Sequence, residues 1–265
     1  MKLSNGLMMP EIGFGTWQID PKDASLACKM AYEAGYKMID TAEAYGNEKE
    51  CISSFKSTED IFIVTKLPAQ YKTYDEAISH FNESLKKLGR IDLYLIHAPW
   101  PWDQQGKDCM EGNIEVWKAF CDLYKAGKVG AIGVSNFHPD EIEKLYKATG
   151  VMPMANQIRY FIGNRQIDTY NYCVKNNIVI MAYSPLATSE LLQSDEVKKM
   201  AKKYGKTEAQ ICIRYCIDTN TVPLVKSTKE ERIKANLDVD FKLEEKDIEY
   251  LNSLTPQAST RPFRS

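Results

Sequence analysis

Short apolar segments alternate with amphipathic segments along the whole chain, and this alternation limits the folds that are available to it. Apolar segments predict strands at residues 12–16, 36–39, 61–65, 91–96, 129–134, 154–158, 178–183 and 222–225. Helices are predicted at residues 21–34, 47–55, 74–88, 113–125, 140–148, 166–175, 195–204, 208–217, 229–236 and 244–254, and residues 255–265 look irregular. Eight such repeats are typical of an α/β protein built as a (β/α)8 TIM barrel, with extra helices near the C-terminus.

The competing fold is an open, doubly wound parallel sheet. That fold would carry a Gly-x-Gly-x-x-Gly turn between a strand and a helix that starts directly at the glycines. Gly13 and Gly15 come closest to this pattern, but the sixth position holds Gln18 and no helix is predicted to begin there. The barrel is therefore the favoured prediction.

The N-terminal segment, residues 1–11, precedes the first repeat. It has Asn5 and Gly6 between short apolar pieces, which is a strong local signal for a β-hairpin. No linker, composition shift or low-complexity tract interrupts the chain after it. We therefore expect residues 1–265 to form one barrel domain with an N-terminal hairpin cap.

Four chemically active side chains lie at or just beyond three predicted strand ends. Asp40 follows the second strand with Tyr45 in the turn after it, Lys66 follows the third strand, and His97 follows the fourth. Because the carboxyl ends of barrel strands converge on one face, these side chains should meet there. Each alone could be a cap residue, a packing ring, a solvated cation or a core histidine, but the four together favour an active site.

The residue types suggest proton transfer to an oxygen atom. A free phenol has a pKa near ~10, and an adjacent ammonium group lowers it. We therefore expect Lys66, held by Asp40, to bring the Tyr45 proton within range of donation near neutral pH, and His97 to orient the acceptor oxygen. Reduction of a carbonyl group needs such a donor and no nucleophile. Its hydride must then come from a cofactor.

Composition limits the classes of partner that we expect the protein to bind. Lys and Arg total 34 against 36 for Asp and Glu, a net charge of −2, which gives no basic surface for nucleic acid. The seven cysteines are scattered, which is typical of buried thiols in a reduced compartment; a zinc pair at Cys212 and Cys216 lacks further nearby ligands. The first ten residues lack a signal-peptide core and no apolar run could span a membrane. We expect a cytoplasmic monomer that binds no metal.

Six stretches in order resemble the aldo-keto reductase family, including its prokaryotic diketogluconate and methylglyoxal reductases. The resemblance runs from the hairpin to about residue 256 and rests on residues 12–17, 39–48, 92–97, 131–137, 182–186 and 225–228. It implies a (β/α)8 barrel that uses NADPH to reduce a small-molecule carbonyl substrate. It also implies that Asp40, Tyr45, Lys66 and His97 form the catalytic group, with Tyr45 as the proton donor.

The resemblance further implies a cofactor site. Ser135, Asn136 and Gln157 would hydrogen-bond the nicotinamide carboxamide, and Tyr183 would stack on its ring. The full implied set is Thr16, Asp40, Ser135, Asn136, Gln157, Tyr183, Ser184, Leu186, Lys226, Ser227, Thr228, Arg232 and Asn236.

The loop after the eighth strand has an independent chemical reason to bind phosphate. It supplies Lys226, two hydroxyl groups and Arg232, and barrel proteins often bind phosphate at this place. The resemblance makes this the pocket for the 2′-phosphate of NADPH, with Asn236 near the adenine. Without the family, the same charges would more often be an exposed helix start. Ala235 replaces a Glu that is common in the family, which weakens the expected closure over the adenine.

The expected substrate pocket departs from the family pattern. Trp17, Tyr45 and His97 resemble substrate-binding residues, but Ala98 stands where Trp is frequent and Pro68 where an aromatic is common. These changes and a short C-terminal tail predict a wider pocket. Two other functions remain open. One is a barrel that binds NADPH as a regulatory or redox-sensing subunit, and the other is a hydrolase or isomerase without nicotinamide.

Overall fold

The computed structural model describes residues 1–254, which fold around a closed barrel of eight parallel strands. Strands neighbour one another in chain order, and β1 pairs with β8 to close the barrel. The open doubly wound sheet is thereby excluded, and the predicted (β/α)8 architecture is confirmed. The strands are β1 Gly13–Gly15, β2 Met38–Asp40, β3 Phe62–Leu67, β4 Leu93–Ile96, β5 Ala131–Ser135, β6 Ala155–Arg159, β7 Val179–Tyr183 and β8 Val222–Val225.

Helices surround the barrel and connect its strands. They are α1 Pro21–Ala34, α2 Glu48–Ile52, α3 Tyr74–Leu88, α4 Met110–Lys125, α5 Pro139–Thr149, α6 Ile167–Lys175, α7 Asp195–Tyr204, α8 Glu208–Asp218, α9 Glu230–Leu237 and α10 Glu245–Ser253. Most lie within a few residues of their predicted bounds. The predicted irregular tail, residues 255–265, lies outside the described residues.

Two connections differ from the predictions, and both lie at the carboxyl ends of strands. A 3₁₀ helix at Glu43–Tyr45 precedes α2, which is shorter than the predicted segment 47–55. A second 3₁₀ segment at Ala187–Gln193 follows β7, and its Thr188 and Ser189 have left-handed backbone angles. Single turns of this kind carry no periodic apolar pattern, so the sequence does not reveal them.

The N-terminal hairpin is present in a minimal form. It has one antiparallel bridge, between Lys2 and Met8, and Gly6 turns the chain at φ 91°. Leu3 is buried, and the Asn5 side chain donates a hydrogen bond to the Gly130 carbonyl just before β5. The hairpin therefore lies at the amino ends of the strands, opposite the expected site.

Helix α3 illustrates how the outer layer packs. Thr73 caps its first turn, because its side chain accepts a hydrogen bond from the Glu76 amide. The Glu76 carboxylate in turn accepts a hydrogen bond from the Thr73 amide. Ala77, Phe81 and Leu88 share one face of the helix and are buried. Burial of a side chain such as Phe81 contributes roughly 1.5–3 kcal/mol to folding. The helix thereby fixes the connection that follows Lys66.

Close contact between strands depends on small residues. At Gly133 in β5, a Cβ atom would lie 2.5 Å from the carbonyl oxygen of Ala155 in β6 and 2.7 Å from the Leu95 side chain. No side chain fits in that space without moving the backbone. Gly133 therefore lets β4, β5 and β6 approach one another directly beneath the strand ends that carry Ser135 and Gln157.

Residues 1–254 show neither a membrane-spanning helix nor a cluster of metal ligands. None of the helices in this range is both long and apolar enough to cross a lipid bilayer. Nor do His, Cys, Asp or Glu side chains there form a group of three or more with metal-binding geometry. Cys212 and Cys216, the pair considered for zinc, are buried and not part of a disulfide.

Candidate active site

A buried lysine lies at the centre of the site. Lys66, near the end of β3, donates from Nζ to both oxygens of Asp40, at 3.0 and 2.9 Å, and to the Thr41 carbonyl at 2.8 Å. The Tyr45 hydroxyl lies 3.5 Å from the same Nζ. Lys66 is fully buried and Asp40 nearly so. Two neighbouring strands thus bring an ammonium group, a carboxylate and a phenol together, as the sequence predicts.

Tyr45 is positioned by the 3₁₀ helix that carries it. On one side, Asn47 donates to the Thr16 and Ile19 carbonyls and accepts from the Thr41 hydroxyl, which fastens the turn to the loop after β1. On the other side, Glu43 lies 2.8 Å from Nδ1 of His80 in α3. The turn is therefore held at both ends while the phenol is directed toward Lys66.

A second buried carboxylate supports the same strand. Glu48 accepts a hydrogen bond from the Thr65 hydroxyl at 2.7 Å and is paired with Lys87 at 2.9 Å. Its negative charge favours the charged form of Lys66. Because Thr65 immediately precedes Lys66 in β3, Glu48 helps to fix the strand residue that carries the ammonium group.

Aromatic rings enclose the phenol. The His97 ring meets the Tyr45 ring edge to face with centroids 5.6 Å apart, and Trp102 packs perpendicular to His97 at 5.5 Å. Trp100 in turn packs against Trp102 at 5.5 Å. Nδ1 of His97 is buried and has no hydrogen-bond partner within residues 1–254, so ring packing orients this histidine.

The protonation states differ in one respect from the sequence-based expectation. Burial raises the pKa of the Tyr45 phenol well above its ordinary value, and the charge of Asp40 raises it further. The expectation that Lys66 lowers this pKa is therefore wrong for the protein alone. The physical reason is that burial removes the water that would stabilise a phenolate, and the negative charge of Asp40 disfavours the phenolate as well.

The two neighbouring bases are also affected by burial. Burial lowers the pKa of Lys66, and the charge and hydrogen bonds of Asp40 oppose that change. Burial and the positive charge of Lys66 lower the pKa of His97 well below its ordinary value, so the imidazole is neutral at pH 7. The site thus presents a fully protonated phenol beside a neutral imidazole.

Polar side chains at the ends of β5, β6 and β7 form one network. Gln157 donates from Nε2 to Asp40 across the barrel at 2.8 Å, which leaves its Oε1 as an acceptor. Ser135 donates to the Gln157 carbonyl, and Asn136 donates to the Ser135 hydroxyl and to the His97 carbonyl. The Tyr183 hydroxyl donates to Asn136 at 2.8 Å. This network adjoins the Lys66 cluster.

The chain after β7 has unusual backbone angles. Ser184 and Ala187 have φ of 52° and 48°, in the left-handed region that non-glycine residues rarely adopt. Leu186 between them is partly buried and packs against the main core. Such angles are found at binding sites more often than elsewhere, and here they lie directly beside Tyr183.

The loop after β8 carries the predicted phosphate-binding residues. Lys226, Thr228 and Arg232 are exposed, and neither cation forms an ion pair with a carboxylate of residues 1–254. The Ser227 hydroxyl accepts a hydrogen bond from the Lys229 amide, which shapes the turn before α9. Asn236 lies one turn further along α9 and is buried.

Two predicted residues of the β1–α1 loop have different surroundings. Thr16 is fully buried, and its hydroxyl donates to the Asp40 carbonyl at 3.1 Å, so it lies beneath the site and supports Asp40. This burial argues against the direct cofactor contact expected for Thr16. The next residue, Trp17, is 53% exposed and stands free to form a wall.

Three residues of this region were missed as site residues by sequence reasoning. Asn47 and Glu48 lie inside the stretch that carries the family resemblance, and that position was their only signal. The contact between Trp102 and His97 had no signal beyond the Trp-rich composition of the loop after β4. Each depends on a partner that is distant in sequence.

The chain matches known proteins over nearly its whole length. The family model described as "Aldo/keto reductase family" matches residues 3–256. Glyoxal reductase of Bacillus subtilis is 34% identical over 99% of this chain and 95% of its own length. Methylglyoxal reductase DkgA of Escherichia coli is 37% identical over 94% of this chain and 90% of its own.

A solved structure is similar to this chain in fold as well as in sequence. The crystal structure of a Gox0644 mutant in complex with NADPH superposes with a TM-score of 0.90 at 32% identity. The alignment covers 98% of this chain and 94% of that one.

Proposed function

Because the chain belongs to the aldo/keto reductase family, we propose that it reduces aldehydes and ketones to alcohols with NADPH and that Tyr45 donates the proton. The observation that carries this proposal is the cluster of Tyr45, Lys66 and Asp40 with His97 at the carboxyl ends of β2, β3 and β4. This cluster contains a proton donor, Tyr45, and a cation, Lys66, that can stabilise the phenolate, but no nucleophile. Barrel enzymes place their active sites at this face.

The residues that the chain offers fit a nicotinamide dinucleotide phosphate. Gln157 retains an acceptor for a carboxamide N–H, and the partly buried Tyr183, which is bonded to Asn136, lies at the end of the neighbouring strand β7. Lys226 and Arg232 are cations without a carboxylate partner within residues 1–254, which suits a phosphate group. NADPH, when bound, supplies the hydride that this chain's side chains cannot.

The chain's own residues handle the oxygen of the carbonyl. The Tyr45 phenol keeps its proton at neutral pH because its pKa is raised by burial. An alkoxide is a much stronger base than a phenolate, so the proton passes from Tyr45 to the oxygen as negative charge develops there. Lys66 then stabilises the phenolate that is left, and the neutral His97 hydrogen-bonds and orients the same oxygen.

The walls around Tyr45 indicate a small substrate that is held by shape. Trp102 packs on His97, which faces Tyr45, and exposed Trp17 lies on the connection after β1, so aromatic surfaces are available at this face of the barrel to hold a substrate by shape. Glyoxal reductase and methylglyoxal reductase are among the relatives. We propose small aldehydes and 1,2-dicarbonyls as substrates, and a monomer as the active unit.

The first test is a substrate panel. The protein is mixed with small aldehydes, 1,2-dicarbonyls and simple ketones, each with NADPH or NADH, and cofactor oxidation is followed by absorbance. We expect turnover with NADPH that is fastest for the small dicarbonyls. Tight binding of NADPH without turnover of any carbonyl would favour a regulatory barrel, and absence of binding would favour a reaction without nicotinamide.

The second test concerns the choice of cofactor. Arg232→Ala removes an exposed guanidinium that is proposed to contact only the 2′-phosphate, so NADPH binding should weaken by about 10- to 100-fold. NADH binding should change little. Dissociation constants come from quenching of tryptophan fluorescence, with Lys242→Ala as a control that removes an exposed cation elsewhere. Equal losses for both cofactors would contradict this assignment.

A further inference from the structure

Arg159 is a cation at the mouth of the barrel to which the proposed reaction assigns no role. It is the last residue of β6, two positions after Gln157. Side chains two apart on a strand share a face, and Gln157 points into the barrel toward Asp40. Arg159 therefore lies on the inner face, one layer closer to the mouth. Its Cα partner on the neighbouring strand is Tyr183.

The surroundings of Arg159 leave its charge without a partner. Its guanidinium stands over the Phe161 ring at 5.1 Å, and it forms no hydrogen bond or ion pair with any residue of 1–254. Of the other partly buried arginines within residues 1–254, Arg90 pairs with Asp92 and Arg214 with Asp218, whereas Arg165 lies beside tyrosine rings without a carboxylate partner. A partly buried cation normally has a counter-charge. Arg159 differs from Arg165 in lying on the inner face of a barrel strand beside Tyr183, where a ligand can reach it, so we infer that its counter-charge belongs to a ligand.

Phe161 gives the guanidinium a defined position. The ring is buried, and a tight turn holds it, in which Phe161 and Asn164 form an antiparallel bridge. Stacking on an aromatic face fixes the plane of an arginine while its N–H groups remain available at the edges. The side chain is thus oriented in advance to bind an oxyanion.

The position of Arg159 in the barrel indicates whether its anion would come from the substrate or from the cofactor. Eight strands close in chain order, so β6 lies opposite β2, whose end leads to Tyr45. A carbonyl substrate docked on Tyr45 would therefore lie across the mouth from Arg159. Tyr183 and Gln157, the proposed nicotinamide contacts, are its immediate neighbours.

We propose that Arg159 binds the diphosphate of the nicotinamide dinucleotide, as a second anion site distinct from the 2′-phosphate site at Arg232. The inference rests on the proposed function, because it takes the cofactor to be NADPH. The inference adds to the cofactor site a residue that would recognise the diphosphate, which NADPH and NADH share. Arg159 would thus contribute to cofactor affinity without contributing to the choice between the two.

The test is a binding titration that does not depend on turnover. NADPH and NADH are titrated by tryptophan fluorescence into the wild type, Arg159→Gln, Arg159→Lys and Arg165→Gln. Arg159→Gln should weaken both dinucleotides about equally, by about 10- to 100-fold, and Arg159→Lys by less. Arg165→Gln is the matched control. This arginine is also partly buried and also faces an aromatic ring, but that ring belongs to Tyr170 on α6, outside the barrel. It should bind both cofactors like the wild type.

Adenosine 2′-monophosphate separates the two anion sites, because it lacks the diphosphate. Its affinity should be unchanged in Arg159→Gln and reduced in Arg232→Ala. Unchanged binding of both dinucleotides to Arg159→Gln would overturn the inference. So would a rise in KM confined to carboxylate-bearing carbonyls, which would place the substrate at Arg159. A wild type that binds neither dinucleotide would instead remove the proposed function, and this inference with it.

Discussion

Tyr45→Phe is expected to lower kcat for carbonyl reduction by about 10²- to 10⁴-fold, the usual contribution of a positioned proton donor. The variant keeps the ring that packs against His97 and loses only the hydroxyl near Lys66. NADPH affinity should therefore stay close to that of the wild type. Steady-state kinetics with the best carbonyl of the panel and fluorescence titration of NADPH measure the two effects separately.

A matched control for this substitution is Tyr71→Phe. The Tyr71 ring stacks on His80 at 3.7 Å, near the 3₁₀ helix that carries Tyr45, but its hydroxyl has no part in the Lys66 cluster. It should retain wild-type kcat. If Tyr45→Phe also turned over at the wild-type rate while binding NADPH normally, another group would have to supply the proton.

Lys66→Met is expected to lower the free energy of unfolding by about 3–5 kcal/mol, as well as to abolish activity. Within residues 1–254, the substitution leaves Asp40 as a buried carboxylate whose one side-chain hydrogen-bond partner is Gln157. An unpaired charge inside the barrel is much less stable than the pair. Urea unfolding followed by circular dichroism measures the loss.

The double variant Asp40→Asn with Lys66→Met separates stability from catalysis. It removes both charges, and the new asparagine can still accept from Gln157, so much of the lost stability should return while activity stays absent. Lys118→Met, which breaks an exposed ion pair with Glu115, is the control and should unfold like the wild type. A single Lys66→Met variant as stable as the wild type would mean that the buried pair has little importance for folding.

The barrel could be predicted from the sequence because its determinants are local. Buried strands, helix caps and glycine stops recur with a regular spacing, and each can be recognised within a few residues. The positions of Asp40, Lys66 and His97 follow from the same pattern, because a strand end determines where its last side chains lie. Tyr45 could be placed only roughly, since the single 3₁₀ turn that directs it has no periodic signal.

The remaining features depend on contacts that no local pattern encodes. The direction of the Tyr45 pKa shift could not be predicted, because it reflects burial of the phenol and the nearby charge of Asp40, and the sequence does not show either. Thr16 was expected to contact the cofactor, yet its side chain is buried and donates to the Asp40 carbonyl. Arg159 gave no sequence signal, because its proposed role follows from the absence of a hydrogen-bond or ion-pair partner for its guanidinium within residues 1–254.

The aromatic contact between Trp102 and His97 has a consequence for how such a chain can diversify. Trp17 and Trp102 belong to connections, whereas Lys66 and Asp40 belong to strands that pair on both sides within a closed cylinder. Replacing single side chains on these connections would change the shape of the proposed substrate pocket, while the buried pair of Asp40 and Lys66 keeps its alignment. Substitution of one exposed loop side chain such as Trp17 should therefore be tolerated better than replacement of the whole loop, because that loop also holds the Tyr45 turn through Asn47.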